Sequence, residues 1–174
     1  MSGLTKGFLG FFGEITFSHL EKTALWRYNT TMKYAFYGAD TPALTSIDPA
    51  FHAVGDQRRL YDLLSDVWCE YTCAPRLRPE WSKENKTLGQ CSITAFLAQD
   101  IYGGVVYGIP LEGGGYHCYN AVGDVVFDLA SEQFGGRPLT FSCENVQSRE
   151  AHFADKEKYE RYLYLRSELL KKLK

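Results

Sequence analysis

Cys91 follows Gly89 and Gln90 and opens a run with helical spacing, which makes it the first residue to weigh for chemistry. A thiol attacks only as the thiolate, and free cysteine is mostly protonated at neutral pH. A helix N-terminus and a neighbouring imidazole both lower the thiol pKa. The first condition holds at Cys91 if the helix starts there. Backbone N–H groups of a first helical turn have no partner inside the helix, so they can also hold an oxyanion. On its own, such a cysteine reads equally as a small buried hydrophobe, so the case depends on its partners.

The imidazole must come from elsewhere in the chain. Among His19, His52, His117 and His152, His117 stands out, on an expected strand soon after the Cys91 helix. Asp128 lies across the expected hairpin. If Gly123-Asp124 form the turn, Tyr119 faces Asp128, and His117 is one diagonal step away on the same face. If Val122-Gly123 form it, His117 faces Asp128 directly. A loop one residue longer reverses the parity and brings Cys118 or Asn120 beside Asp128 instead. Asp128 would orient the imidazole and favour its protonated form, and Asn120 is the rival for that role. Gln90 can lend its amide to an oxyanion hole or simply bond nearby backbone. We expect Trp81, Tyr116, Tyr119 and the glycines at 113–115 at the cleft rim, where they would set specificity.

The elements that must hold these residues follow from pattern. Asp56 can cap a helix carrying Leu60, Leu63, Leu64, Val67, Trp68 and Tyr71, which ends before Pro75. Residues 75–88, with two prolines and many charges, read as a loop. Ile93, Phe96, Leu97 and Ile101 share a face of the next helix, which runs to Tyr102 and stops at Gly103-Gly104. Strands are expected at 105–109, 116–121 and 125–129. Glycine at the first of the two turn residues suits a type II′ hairpin. A last helix spans about 156–173, with lysines near its C-terminus where they suit the macrodipole. Before residue 55 the pattern is weaker: short strands at 14–17 and 33–37, and a loop over 41–49. The order is helix, helix, antiparallel strands, helix, an α+β domain over 56–174 with an N-terminal extension, residues 1–55, packed on it.

Several stretches together resemble the YunG-like family of small bacterial proteins: Trp81 to Asn85, Leu88 to Ala95, Tyr116 to Asn120, Phe127 to Phe134 and Arg149 to Phe153. The likeness covers about residues 60–173 in order. Where the family's pattern often has an apolar residue after the cysteine, this chain has Ser92. The resemblance implies a small α+β domain with Cys, His and Asp in the order of papain-like and transglutaminase-like folds. It implies no substrate.

The totals narrow the field. A chain of 174 residues suits one domain with a real core, and 45% hydrophobic residues argue for a folded globular protein. The net charge of −2 and the lack of a Lys/Arg stripe disfavour nucleic acid as a partner. No apolar run approaches the roughly 20 residues that span a bilayer. The segment Phe8 to Phe12 is too short for a signal sequence, so we expect a cytoplasmic protein with no membrane partner. Five cysteines, an odd number, point to reduced thiols rather than a disulfide scaffold. A zinc site built from Cys69, Cys73, Cys91 and His117 or Cys118 is a poor match to known ligand spacings. No metal or cofactor is expected. The reading is therefore a cysteine hydrolase or related acyl-transfer enzyme, acting on a peptide, protein or small amide. The alternative is a binding module of the same fold that holds a partner or small molecule in its cleft.

Overall fold

The computed structural model describes residues 34–174. The apolar run at 8–12 and the strand expected at 14–17 lie outside these residues. The described part begins as an extended segment whose Phe36 is buried and stacks on Tyr61 at 5.0 Å. The following loop is held by the amide of Gln57, which is fully buried. Its Nε2 donates to Pro42 O at 2.9 Å and to Thr41 Oγ1 at 3.1 Å, and its Oε1 accepts from Leu44 N at 3.0 Å. The loop ends one residue early, because Asp48 caps a 3₁₀ turn over Pro49–Val54.

Helix α1, Gln57–Val67, starts where the sequence predicts: Asp56 accepts from the N–H groups of Arg58 and Arg59. It buries Leu60, Leu63, Leu64 and Val67. It stops short of Tyr71, which is exposed. The cause is local. Thr72 is buried, and its hydroxyl accepts from Cys69 N at 2.9 Å and donates to Cys69 O at 2.8 Å, competing with helical bonding. Trp68, just past the end, still reaches the core and donates from Nε1 to Thr94 Oγ1 at 3.1 Å. Residues 75–88 are less irregular than expected, since Pro75–Glu80 form a 3₁₀ turn.

Helix α2, Cys91–Tyr102, is the centre of the molecule. Ile93, Leu97, Ala98 and Ile101 join the large cluster with α1 and the C-terminal helix, while Ala95 and Phe96 join a second cluster with Val106 and Cys118. A helix buried on two sides reads as broadly apolar rather than as one stripe. The short helix α3, Arg149–Phe153, leads to α4, Lys156–Lys172, capped by Asp155. Helix α4 buries Arg161, Tyr162, Leu165 and Leu169, and leaves Tyr159 and Leu163 exposed. Each fully buried leucine contributes about 1.5–3 kcal/mol.

The sheet is antiparallel, in the order β1 Val105–Pro110, β2 Tyr116–Val122, β3 Val125–Phe127. Pairing of Val122 with Val125 leaves Gly123-Asp124 as the two-residue turn. Gly123 has φ +55 and Asp124 is not among the positive-φ residues, as a type II′ turn requires. Both edges are extended by single bridges. Tyr37 pairs with Asp128 beyond β3, and Val146 pairs with Tyr107 on β1. Of the strand expected at 33–37, the described residues, 34–37, form only this Tyr37 bridge. Phe134 and Phe141 lie edge-on to His117 and Tyr119 of β2. The molecule is an α+β domain, and none of its described helices is long and apolar enough to cross a membrane.

Candidate active site

The turn before α2 is built around Gly89. Its φ of +67 favours glycine, and a Cβ there would sit 2.7 Å from Cys73 Sγ and 2.9 Å from Ala74 N. The carbonyl of Gly89 accepts from Ala74 N at 3.0 Å. The next residue, Gln90, is fully buried and turns inward: its Nε2 donates to Cys69 O at 3.2 Å, and its Oε1 is buried without a partner. Gln90 thus ties two loops together, and its amide nitrogen is used on backbone rather than offered beside Cys91. No side chain caps α2. Cys91 therefore opens the helix with first-turn N–H groups that have no intrahelical partner.

The hairpin delivers the other two residues with the parity the Gly123-Asp124 turn predicts. Extending the register by one step sets Tyr119 opposite Asp128, and His117 lies diagonally across. His117 Nε2 and Asp128 Oδ2 are 2.5 Å apart, and neither side chain is exposed beyond 1%. Oδ1 of Asp128 accepts from Ala130 N at 3.0 Å, and the Asp128 N–H donates to Tyr37 O at 2.9 Å. Both carboxylate oxygens and the backbone of Asp128 are thus fixed. With Nε2 committed to Asp128, Nδ1 is the ring nitrogen left for a partner on the cavity side, where Cys91 also lies.

Asn120, the rival for Asp128, has another task. Its Nδ2 donates to Ala95 O at 2.8 Å, pinning β2 to the middle of α2. Alternation along β2 explains the split: Cys118 and Asn120 face α2, and His117 and Tyr119 point the other way.

The charges respond to this geometry. Burial opposes ionisation of Cys91, but the hydrogen bond and charge of His117, with the Cys118 N–H, hold its thiol below the ordinary value. Burial likewise disfavours a charged His117, yet Asp128 and Cys91 on either side push it up to about 10. Each of the two groups thus favours the charged form of the other. Cys118 and Cys73 go the other way. Burial raises both, Cys73 to about 11 and Cys118 well above its ordinary range, with the Cys91 charge adding to the latter. Among the described residues, no group of three or more His, Cys, Asp or Glu could hold a metal ion.

Cys91, Ser92 and His117 open onto a cavity of about 290 Å³. Tyr116, Gly114 and Gly115 form part of its wall, as expected of the rim, and Gly113 lines the neighbouring depression. Trp81 and Tyr119 lie outside the cavity lining. Trp81 is half-buried and donates to Lys86 O at 3.1 Å. Tyr119 is 1% exposed, stacks on Tyr107, and accepts from Cys143 N at 2.8 Å. Its place at the rim is lost because the return of residues 134–143 covers that face.

Gln133 was not among the residues singled out for chemistry. Its Oε1 accepts from Gly89 N at 3.3 Å, its Nε2 donates to Ala130 O at 2.8 Å, and the same nitrogen lies 3.4 Å from His117 Nδ1. It couples the turn before Cys91 to the segment after Asp128. Its only signal in the sequence is its place in the stretch Phe127 to Phe134. Arg76, His152, Lys158 and Arg161 also line the cavity, and nothing in their spacing announced it.

The family described as YunG protein matches residues 56–174. A protein of Bacillus subtilis (strain 168) named "Uncharacterized protein YunG" is 32% identical over 104 residues, which is 60% of this chain and 83% of that relative. No solved structure matches this chain significantly.

Proposed function

We propose that this chain, which belongs to the YunG family, is a thiol-dependent acyl-transfer enzyme, most simply an amidase or peptidase, with Cys91 as its nucleophile. The observation that carries the reading is the buried His117–Asp128 pair, with His117 and Cys91 lining the same cavity. A Cys at a helix start, with His and Asp following on antiparallel strands, fits a papain-like or transglutaminase-like layout.

The Cys91 thiolate would attack a carbonyl carbon, forming a C–S bond and an oxyanion. The Cys91 backbone N–H, at the open helix start, is the available donor for that oxyanion. Collapse expels the amine, which takes the proton held by His117, and leaves a thioester on Cys91. Water then gives a proton to His117 and attacks the thioester, releasing the carboxylic acid and restoring the thiolate. Another amine in place of water gives transglutamination, and a side-chain amide as the substrate gives deamidation. The same residues serve all three.

The test is thiol reactivity resolved by site. Alkylation of Cys91 by iodoacetamide at pH 6, followed by peptide mass analysis, should outpace that of free cysteine. A Cys91 that alkylates no faster than free cysteine leaves the binding-module reading in its place.

A further inference from the structure

The cavity beside Cys91 is lined by three groups that carry positive charge, with the imidazoles of His117 and His152, and by no carboxylate among the described residues. Arg76, His152, Lys158 and Arg161 contribute to its wall. The chain as a whole is mildly acidic, at a net −2, so this is a local concentration of charge. The nearby carboxylates only partly offset it. Glu157 is shared by Arg78 at 2.8 Å and Arg161 at 2.9 Å, and Lys158 has only a loose contact with Asp155 at 3.8 Å. Arg76 is exposed and makes no ion pair among the described residues.

Two of these groups look unfinished without a ligand. Arg161 is 2% exposed, with Nε on Glu157 and one terminal nitrogen on Thr72 O at 3.0 Å. Its other terminal nitrogen has no partner among the described residues. His152 has a buried Nε2 with no hydrogen-bond partner. Burial, with Lys158 and Arg161 nearby, drives its pKa down to about 4. The guanidinium groups of Arg76 and Arg161 and the loosely held ammonium of Lys158 in this lining match the oxygens of a carboxylate.

We propose that this wall binds a carboxylate of the substrate, so that the acyl donor presented to Cys91 is an acidic amide or peptide. The inference rests on the reading of Cys91 as a nucleophile, and the test separates the two. Iodoacetate and iodoacetamide have nearly the same shape and differ in charge. Each reacts in the same way: the thiolate sulfur forms an S–C bond and iodide leaves. Because both need the same thiolate, its ionisation cancels in the ratio of their rates.

At low salt, the iodoacetate-to-iodoacetamide rate ratio at Cys91 of the full chain should exceed that of free cysteine by about tenfold. The ratio should fall several-fold in Lys158→Gln and in Arg76→Gln, and again when salt reaches about 1 M. These two residues are chosen because Arg161, buried against Thr72 O, also holds the fold together. If Cys91 alkylates rapidly with the ratio of free cysteine, the carboxylate site is overturned and the nucleophile reading stands. A high ratio untouched by both substitutions shows that Lys158 and Arg76 do not hold the carboxylate, and also overturns it. Slow reaction with both reagents removes the nucleophile reading, and this inference with it.

Discussion

His117 Nε2 and Asp128 Oδ2 meet at 2.5 Å, both side chains buried, while His117 and Cys91 line one cavity. Asp128 acts on the thiol in two opposite ways. Its charge repels the thiolate directly, and it holds the imidazolium that attracts it. The effect of His117 is the larger, so the thiol pKa falls. Asp128→Asn keeps the shape and removes the charge. It should slow Cys91 alkylation at pH 6 by about tenfold or more, as a one-unit rise in thiol pKa would. Asp128→Ala strips the partner from a buried imidazole and should cost about 3–5 kcal/mol in urea unfolding.

His117 sets the pH range over which the thiol works. In the intact chain the Cys91 pKa is lowered, so alkylation should hold steady as pH falls below the ordinary thiol range and decline only on passing the depressed value. In His117→Gln the burial of Cys91 is opposed only by the Cys118 N–H. The profile should then move to alkaline pH, past that of free cysteine. A rate–pH curve for each protein, read at Cys91, checks this.

The turn before α2 tolerates no side chain at Gly89. Gly89→Ala meets Cys73 Sγ and the Ala74 backbone within 3 Å and demands a positive φ. A loss of about 1–3 kcal/mol is expected, visible as a lower urea midpoint. Because Gly89 N also bonds Gln133, alkylation of Cys91 should slow along with it.

His152 makes the fold sensitive to acid. In the folded chain it stays neutral down to about pH 4, whereas an unfolded histidine takes up a proton near 6.5. Between those values the unfolded chain binds more protons, so stability falls as pH drops. His152→Gln should remove on the order of 1 kcal/mol of the loss between pH 7 and pH 5. Urea midpoints at the two pH values measure the difference.

The helix around Ile93 to Ile101, the Gly123-Asp124 hairpin and the parity that joins His117 to Asp128 were legible in the sequence. Each depends on local spacing, since a two-residue turn propagates its register along both strands. Other features depend on residues far away in the chain. Tyr119 leaves the rim because residues 134–143 fold back over it. Gln90 is drawn inward by Cys69 O, and Asn120 by Ala95 O. The end of α1 was missed for a nearer reason, the single hydroxyl of Thr72. The cationic wall was invisible because Arg76 and the pair Lys158 and Arg161 are more than 80 positions apart and meet only in the folded chain.

The pairing of Tyr37 with Asp128 ties the site to a segment outside the family match. Tyr37 lies upstream of the family-matching residues, yet its carbonyl accepts the Asp128 N–H and its own N–H donates to Ser131 Oγ at 2.8 Å. A chain trimmed to residues 56–174 would keep all three polar side chains of the site and lose the clamp that sets the angle of one of them. A change at Tyr37 thus reaches the backbone of Asp128 while Cys91, His117 and Asp128 themselves stay untouched.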